Sequence, residues 1–445
     1  MFHGTMKINS KGHLEIGGCD TVTLAKKFGT PLYVIDEELL RQNCRAFYNG
    51  FKKDYPGNEV IYASKAFMTM AICKIIEEEK LGLDVVSGGE LYTALKAGFP
   101  PEKIYFHGNN KSREELIMAL ENNIGRIIVD NWYELNMLND LAKKMNKVPN
   151  IYIRISPGVE AHTHQYVKTG QIDSKFGFPL FNGDAIKAIE YALTLENVNL
   201  VGLHSHIGSQ IFDAESYKAE IDIMMNFLKL LKEFLGWEVG ELDLGGGFGI
   251  AYVEEDDPQP IEQIASEIMQ AVKEYSVALN IKMPNIIVEP GRSIIGNAGT
   301  TLYTVGAIKD IPGVRKYVAV DGGMSDNIRT ALYGAKYDAI VANKAKNIKS
   351  EKVSIAGKLC ESGDMLIWDI TLPKIEEGDI LAVTCTGAYN YSMASNYNRL
   401  PRPAAVLVYN GQADIIVARE TYEDLIRNDV IPERLTNKKI KIANY

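Results

Sequence analysis

Eight short apolar runs, each closing on polar or glycine residues, set the rhythm of the chain between residues 61 and 292. They fall at 61–63, 83–86, 104–106, 127–129, 151–155, 201–207, 242–244 and 286–288, most of them rich in valine and isoleucine. Runs this short and this apolar suit strands buried on both faces. Helical patterns at 68–80, 112–123 and 132–145 lie between them. Eight such βα units predict a (β/α)8 barrel of the TIM type, in which chemistry gathers at the carboxyl ends of the strands. Those ends carry Lys65, His206, the glycines 245–247 and the segment Glu289, Pro290, Gly291, Arg292.

From about residue 297 the rhythm changes. Runs at 302–308, 317–320, 353–355, 380–384, 404–408 and 413–417, parted by turn signals, predict a mostly antiparallel β domain. The first 35 residues read as a hairpin over 6–16, a short helix and a strand at 32–35, expected to join the C-terminal sheet with the barrel inserted between. The expected division is a barrel over 36–296 and a β-sheet domain from 1–35 and 297–445. The length agrees: 445 residues exceed the roughly 250 of a bare barrel.

A hydrophobic content of 46% supports large cores. No apolar stretch approaches the ~20 residues of a membrane helix, and the start lacks a signal pattern, so a soluble, cytoplasmic protein with no membrane partner is expected. A net charge of -9 argues against nucleic acid as a partner. Five cysteines, an odd number without metal-ligand spacing, point to reduced thiols.

A lysine after an apolar strand is ordinarily a solvated cap. At a barrel mouth, partial desolvation lowers its pKa and lets Lys65 form a Schiff base with a carbonyl substrate or with pyridoxal phosphate. The glycines 245–247 could cradle a phosphate, since residues without Cβ let backbone N–H groups converge; a tight strand-to-helix turn is the other reading. Ser209 could add a hydroxyl. Glu289 could pair with a protonated pyridine nitrogen, or with Arg292 or a nearby lysine. His204 and His206 alternate to one side of a predicted strand. That pair, or His162 with His164, could hold zinc, but no carboxylate or cysteine completes a familiar ligand set and no metal is expected. His206 is better placed to stack on a planar cofactor.

Taken together, Tyr62-Ala63-Ser64-Lys65-Ala66, the segment from Asp84 to Glu90, His204 to Gln210, Asp243 to Gly249, Glu289 to Arg292 and Cys360-Glu361-Ser362-Gly363-Asp364 resemble the signature segments of the diaminopimelate decarboxylase family. That family is one of the fold-type III pyridoxal-phosphate enzymes, and the likeness runs from about Leu32 to Tyr397. The resemblance implies that Lys65 holds pyridoxal 5'-phosphate, His206 stacks on its ring and Glu289 pairs with its nitrogen. Ser209, Gly246, Gly247 and the Pro290, Gly291, Arg292 segment would serve the phosphate, Tyr389 both cofactor and substrate, and Asp84 the protonation of the Schiff base. For the substrate it implies Arg292, Arg329 and Tyr333 at a carboxylate and Glu361 at the distal ammonium. Cys360, supplied by the partner subunit, would protonate Cα, so that a homodimer shares its active sites. The implied reaction is decarboxylation of meso-2,6-diaminopimelate to L-lysine. Ornithine or arginine decarboxylation would not need Arg292 and Arg329 for a distal carboxylate. Alanine racemases, which resemble this chain in fold class, place an arginine where Glu289 stands. A non-catalytic pyridoxal-phosphate carrier would lack the β domain.

Overall fold

The computed structural model describes residues 1–158 and 174–436; His162 and His164 lie outside them. All eight runs are parallel strands: Glu59–Ala63, Gly82–Val85, Ile104–Phe106, Arg126–Val129, Asn150–Ser156, Asn199–His204, Glu241–Asp243 and Asn285–Val288. Each pairs with the next, and the eighth returns to the first with Ile287 opposite Glu59 and Val288 opposite Val60, which closes the barrel. Local chemistry starts the intervening helices. Ser112 and Glu115 form a capping box for Arg113–Glu121, and the Asn131 side chain accepts from Glu134 N to begin Trp132–Met145.

The barrel interior is packed, with Ile61, Tyr105, Ile128, Tyr152 and Ile287 forming a buried plug. Its amino end is tied by Arg126, which donates to both carboxylate oxygens of Glu241 at 2.9 and 2.8 Å, while Tyr152 OH donates to the same carboxylate at 2.7 Å. The carboxyl end of the barrel is where Lys65, His206 and Glu289 come together around a cavity.

The sixth strand stops three residues short of its apolar run. It makes its last ladder bond from Ser205 N to Asp243 O at 2.8 Å, and beyond it His206 accepts instead at Nδ1 from Gly246 N at 3.2 Å. His206 therefore lies beyond the strand and does not share a strand face with His204.

The second layer is a sheet in the order Met365–Leu372, Glu351–Ala356, Arg315–Val320, Gly299–Ile311, Leu32–Asp36, Ala404–Tyr409, Gln412–Val417. Ile380–Val383 also pairs with the long strand Gly299–Ile311, and Ala339–Val341 pairs with Ile380–Val383. It is antiparallel except where Leu32–Asp36 meets Ala404–Tyr409 and Arg315–Val320 meets Glu351–Ala356. The sequence did not show Ala339–Val341, which is very short, or Met365–Leu372, whose exposed Trp368 and Asp369 (φ 53) break the alternation.

The N-terminal hairpin departs from expectation. Lys7–Ile8, Leu14–Ile16 and Cys19–Asp20 form their own three-stranded sheet, and only Leu32–Asp36 joins the large one. The helix Thr21–Phe28, capped by Asp20, carries the chain across, and Leu14 and Ile16 pack with Leu302, Val406 and Val408 instead of extending the ladder.

Candidate active site

A cavity of about 710 Å³ opens at the carboxyl end of the barrel. Lys65, His206, Ser209, Gly246, Gly247, Glu289, Gly291, Arg292, Arg329, Tyr333 and Tyr389 line it. Lys65 follows the first strand in a single helical turn, Ser64–Ala66, and opens into the cavity. Pro290 acts through its backbone, its carbonyl accepting from Ala63 N at 3.1 Å. Tyr389 reaches Lys65 from the β domain in a left-handed conformation (φ 62) that tyrosine seldom adopts. Its N–H donates to Ala66 O at 2.8 Å, and the Arg292 guanidinium lies 4.9 Å from its ring centre. The lysine itself differs from expectation. Burial works against its charge, but Tyr389, Asp84 and Glu289 outweigh it and hold the ammonium above its ordinary value.

Beneath Lys65 lies a buried set of acids and imidazoles. Glu289 stands 2.7 Å from His107 Nε2 and 3.6 Å from His204 Nε2, and Asp84 lies 3.8 Å from His107. Neither Arg292 nor a lysine pairs with Glu289 among the described residues. Burial opposes ionisation of Glu289, yet the imidazoles of His107 and His204 outweigh it and hold the carboxyl well below its usual range. Asp84 and Asp243 are instead pushed up, by burial first and by the charge of Glu289. The cluster thus concentrates its negative charge on Glu289. Burial, with Lys65 and Arg154 adding to it, drives His206 far below its ordinary value, so its ring is neutral.

The glycine loop is built for close approach. A Cβ on Gly246 would stand 2.3 Å from Glu289 O, and one on Gly247 (φ 103) 2.7 Å from Gly208 O. Arg292 donates from Nη2 to Ser209 Oγ at 2.9 Å and from Nη1 to Tyr252 OH at 2.6 Å. Arg329, on the short helix Arg329–Tyr333, donates from Nη1 to Tyr252 OH at 3.1 Å and to Tyr337 OH at 2.7 Å.

Cys360 and Glu361 are not in this cavity. They stand exposed on a β-domain loop shaped by Asp364, whose carboxylate accepts from Met324 N at 2.6 Å and Leu359 N at 2.8 Å. Cys360 N donates to Asn398 Oδ1 at 2.9 Å. Sequence reasoning missed His107 and Tyr252. His107 directly follows the third apolar run, the same signal that singled out Lys65. Tyr252 carried no signal. With His204 and Glu289, His107 also brings ligand atoms within 4.8 Å of one another, a grouping unlike the expected His204 and His206 pair.

Residues 41–296 match the family described as pyridoxal-dependent decarboxylase, pyridoxal binding domain. The diaminopimelate decarboxylase of Bacillus methanolicus is 58% identical over 419 residues, 94% of this chain and 97% of that protein. Its counterpart from Bacillus subtilis is 56% identical over 428 residues, 96% of this chain and 98% of that protein. The crystal structure of diaminopimelate decarboxylase from M. jannaschii in complex with L-lysine superposes with a TM-score of 0.90 at 42% identity, covering 97% of this chain and 99% of that one.

Proposed function

The chain belongs to the pyridoxal-dependent decarboxylase family and, within it, to the diaminopimelate decarboxylases, and from that premise we propose how its residues divide the work. The reaction is the decarboxylation of meso-2,6-diaminopimelate to L-lysine and CO2, the last step of lysine biosynthesis, with pyridoxal 5'-phosphate as cofactor. The residues present fit that group. The glycine cradle leaves no room for a side chain, and Arg292 Nε is a buried donor with no partner among the described residues. When bound, pyridoxal 5'-phosphate supplies an electron-withdrawing ring that takes up the electron pair released as the bond between Cα and its carboxylate breaks.

In this reading Lys65 holds the cofactor, and Asp84 beneath it biases the protonation at Nζ. Glu289, held ionised by its imidazole neighbours, keeps a proton on the ring nitrogen. The neutral ring of His206 covers one face without adding charge. Ser209, Gly246, Gly247, Gly291 and Arg292 hold the phosphate, with Pro290 fixing the turn that presents them. Tyr389 closes the cavity from the β domain and shields it from water. Arg292, Arg329 and Tyr333 orient the substrate by its distal carboxylate, and Glu361 receives the distal ammonium. The observation that carries the substrate assignment is the pair of buried guanidinium groups sharing one cavity with Lys65. Ornithine and arginine have no second carboxylate to satisfy them.

Cα must then be protonated, and Cys360 Sγ is the donor we assign. Cys360 and Glu361 are exposed on a structured loop and absent from their own chain's cavity, which supports a homodimer in which each subunit lends this loop to the other. A two-fold interface builds two equivalent sites this way. The barrel over 36–296 is then the cofactor-binding domain, and 1–35 with 297–445 form the β-sheet domain. All five cysteines are free, as a reducing cytoplasm keeps them, and among the described residues no helix is long and apolar enough to cross a membrane. Comparing CO2 release by the purified holoenzyme from meso-diaminopimelate, ornithine, arginine and lysine tests the substrate assignment. Turnover of ornithine or arginine at a rate matching meso-diaminopimelate would overturn it.

A further inference from the structure

Two buried guanidinium groups meet at one phenol oxygen. Tyr252, buried just beyond the glycine loop, accepts from Arg292 Nη1 at 2.6 Å and from Arg329 Nη1 at 3.1 Å. Both guanidinium groups also lie over its ring, 5.7 and 5.2 Å from the centre. The chain of contacts runs further, from Ser209 through Arg292, Tyr252 and Arg329 to Tyr337, whose hydroxyl donates to Asn390 Oδ1 at 3.3 Å. Each arginine is only 7% exposed. Among the described residues neither has a carboxylate within ion-pair distance.

Two cations this close in a poorly solvated place repel one another. A carboxylate between them would hold them together but would cancel the field they present to an anion. A phenol does the first with no carboxylate placed between them: its single oxygen accepts from both. Its ring face adds attraction for each cation. Tyr252 does not line the cavity, so it acts through the arginines and not by touching the ligand.

We propose that Tyr252 is a positioning residue that fixes the separation of Arg292 and Arg329 and so selects for substrates carrying a second carboxylate. This rests on the reading that the two arginines receive that carboxylate. Bidentate recognition by guanidinium groups depends on geometry, and a pair free to drift apart binds one carboxylate poorly.

Two probes separate this role from a merely structural one. L-lysine keeps the carboxylate that survives the reaction, whereas cadaverine has the same chain without it. Binding of each to wild-type, Y252F and R329Q holoenzyme is measured by calorimetry, alongside KM and kcat for meso-diaminopimelate. Y252F should weaken L-lysine by about tenfold or more, the scale of one hydrogen bond to a charged group, and leave cadaverine unchanged. KM should rise while kcat falls less, with the cofactor's visible band retained. R329Q should lose L-lysine in the same way. If R329Q loses L-lysine affinity and Y252F does not, the role of Tyr252 is overturned, as it is if Y252F weakens cadaverine equally. If R329Q keeps its affinity for L-lysine, the underlying reading of the arginines fails instead. Should Y252F give no folded holoenzyme, Y252H, whose ring is too short to reach both guanidinium groups, is expected to show the same selective loss. Undiminished L-lysine affinity in Y252H would overturn the role.

Discussion

Replacing Glu220 by glutamine should make the protein more stable, and increasingly so as the pH rises. Glu220 lies on the helix Glu215–Leu235 and is fully buried. One carboxylate oxygen accepts from Ser205 Oγ at 2.6 Å, and the other has no partner among the described residues. Burial, reinforced by the charge of Glu289 and only partly offset by the Ser205 bond, pushes the carboxyl up to about 8. In the unfolded chain it titrates near ~4.3. Between those values the folded protein keeps a proton that the unfolded chain has lost, so stability falls as pH rises. The contribution is full below the unfolded value and has gone once pH passes the folded one. At ~1.4 kcal/mol per pH unit, the interval amounts to on the order of 5 kcal/mol. E220Q keeps an acceptor for Ser205 and cannot titrate. Urea unfolding of E220Q and wild-type holoenzyme, at matched cofactor concentration between pH 5 and 9, gives the difference free of the other titrating groups, which both proteins share. That difference should be smallest near pH 5, grow through the neutral range and level off above about 8. A gap that stays constant with pH would refute the buried, proton-holding carboxyl.

Three further outcomes are expected. Lys111 and Glu134 form a fully buried pair at 2.7 Å, and Lys111 Nζ also donates to Gly108 O and Ile128 O at 2.9 and 2.7 Å. K111M, which strands Glu134, should cost about 3–5 kcal/mol in urea unfolding, most of it recovered in K111M/E134L; equal losses in the two proteins would show that the charge is not what matters. E289Q should retain cofactor by absorbance yet slow CO2 release by on the order of a hundredfold or more, and unchanged turnover would leave Glu289 a structural partner of His107. K65A and C360A homodimers should each be severely impaired, and mixing them under subunit exchange should restore about a quarter of the sites, because half the dimers are mixed and each rebuilds one intact pair. No recovery despite demonstrated exchange would remove Cys360 from the partner's site.

Much of the barrel and its mouth was legible because both depend on position along one strand at a time. An apolar run that stops on Lys65 or on Glu289 states in one dimension where the side chain will stand, since strand ends of this fold face one cavity. The sixth run shows the limit of that logic. The run continues to Ile207, yet the ladder ends at His204, because its partner strand stops at Asp243 and turns into the glycine loop, from which Gly246 N meets His206. The N-terminal hairpin failed for a similar reason. Its alternation predicts strands but does not say which sheet they join, and Leu14 and Ile16 are satisfied by packing face-on.

What the sequence could not express is contact between segments that only the fold brings together. His107 and Glu289 are far apart in the chain and belong to different βα units, and their 2.7 Å approach gives the acid cluster a single ionised member. Tyr252 and Arg329 are separated by 77 positions and come from different layers, so no local pattern announces that they touch. The same holds one level higher for Cys360. Its loop is fixed by Asp364 and Asn398, and among the described residues its exposed thiol lies outside the cavity of its own chain. Strand ends thus supply the chemistry that one barrel can hold. In the reading we propose, the β domain adds the parts that complete substrate recognition, Arg329 and Tyr389 within one chain and Glu361 of the partner subunit, while Cys360 of the partner subunit brings the proton. Specificity in this arrangement is a property of the joint between layers, and substitutions there should change which substrate is accepted before they change the fold.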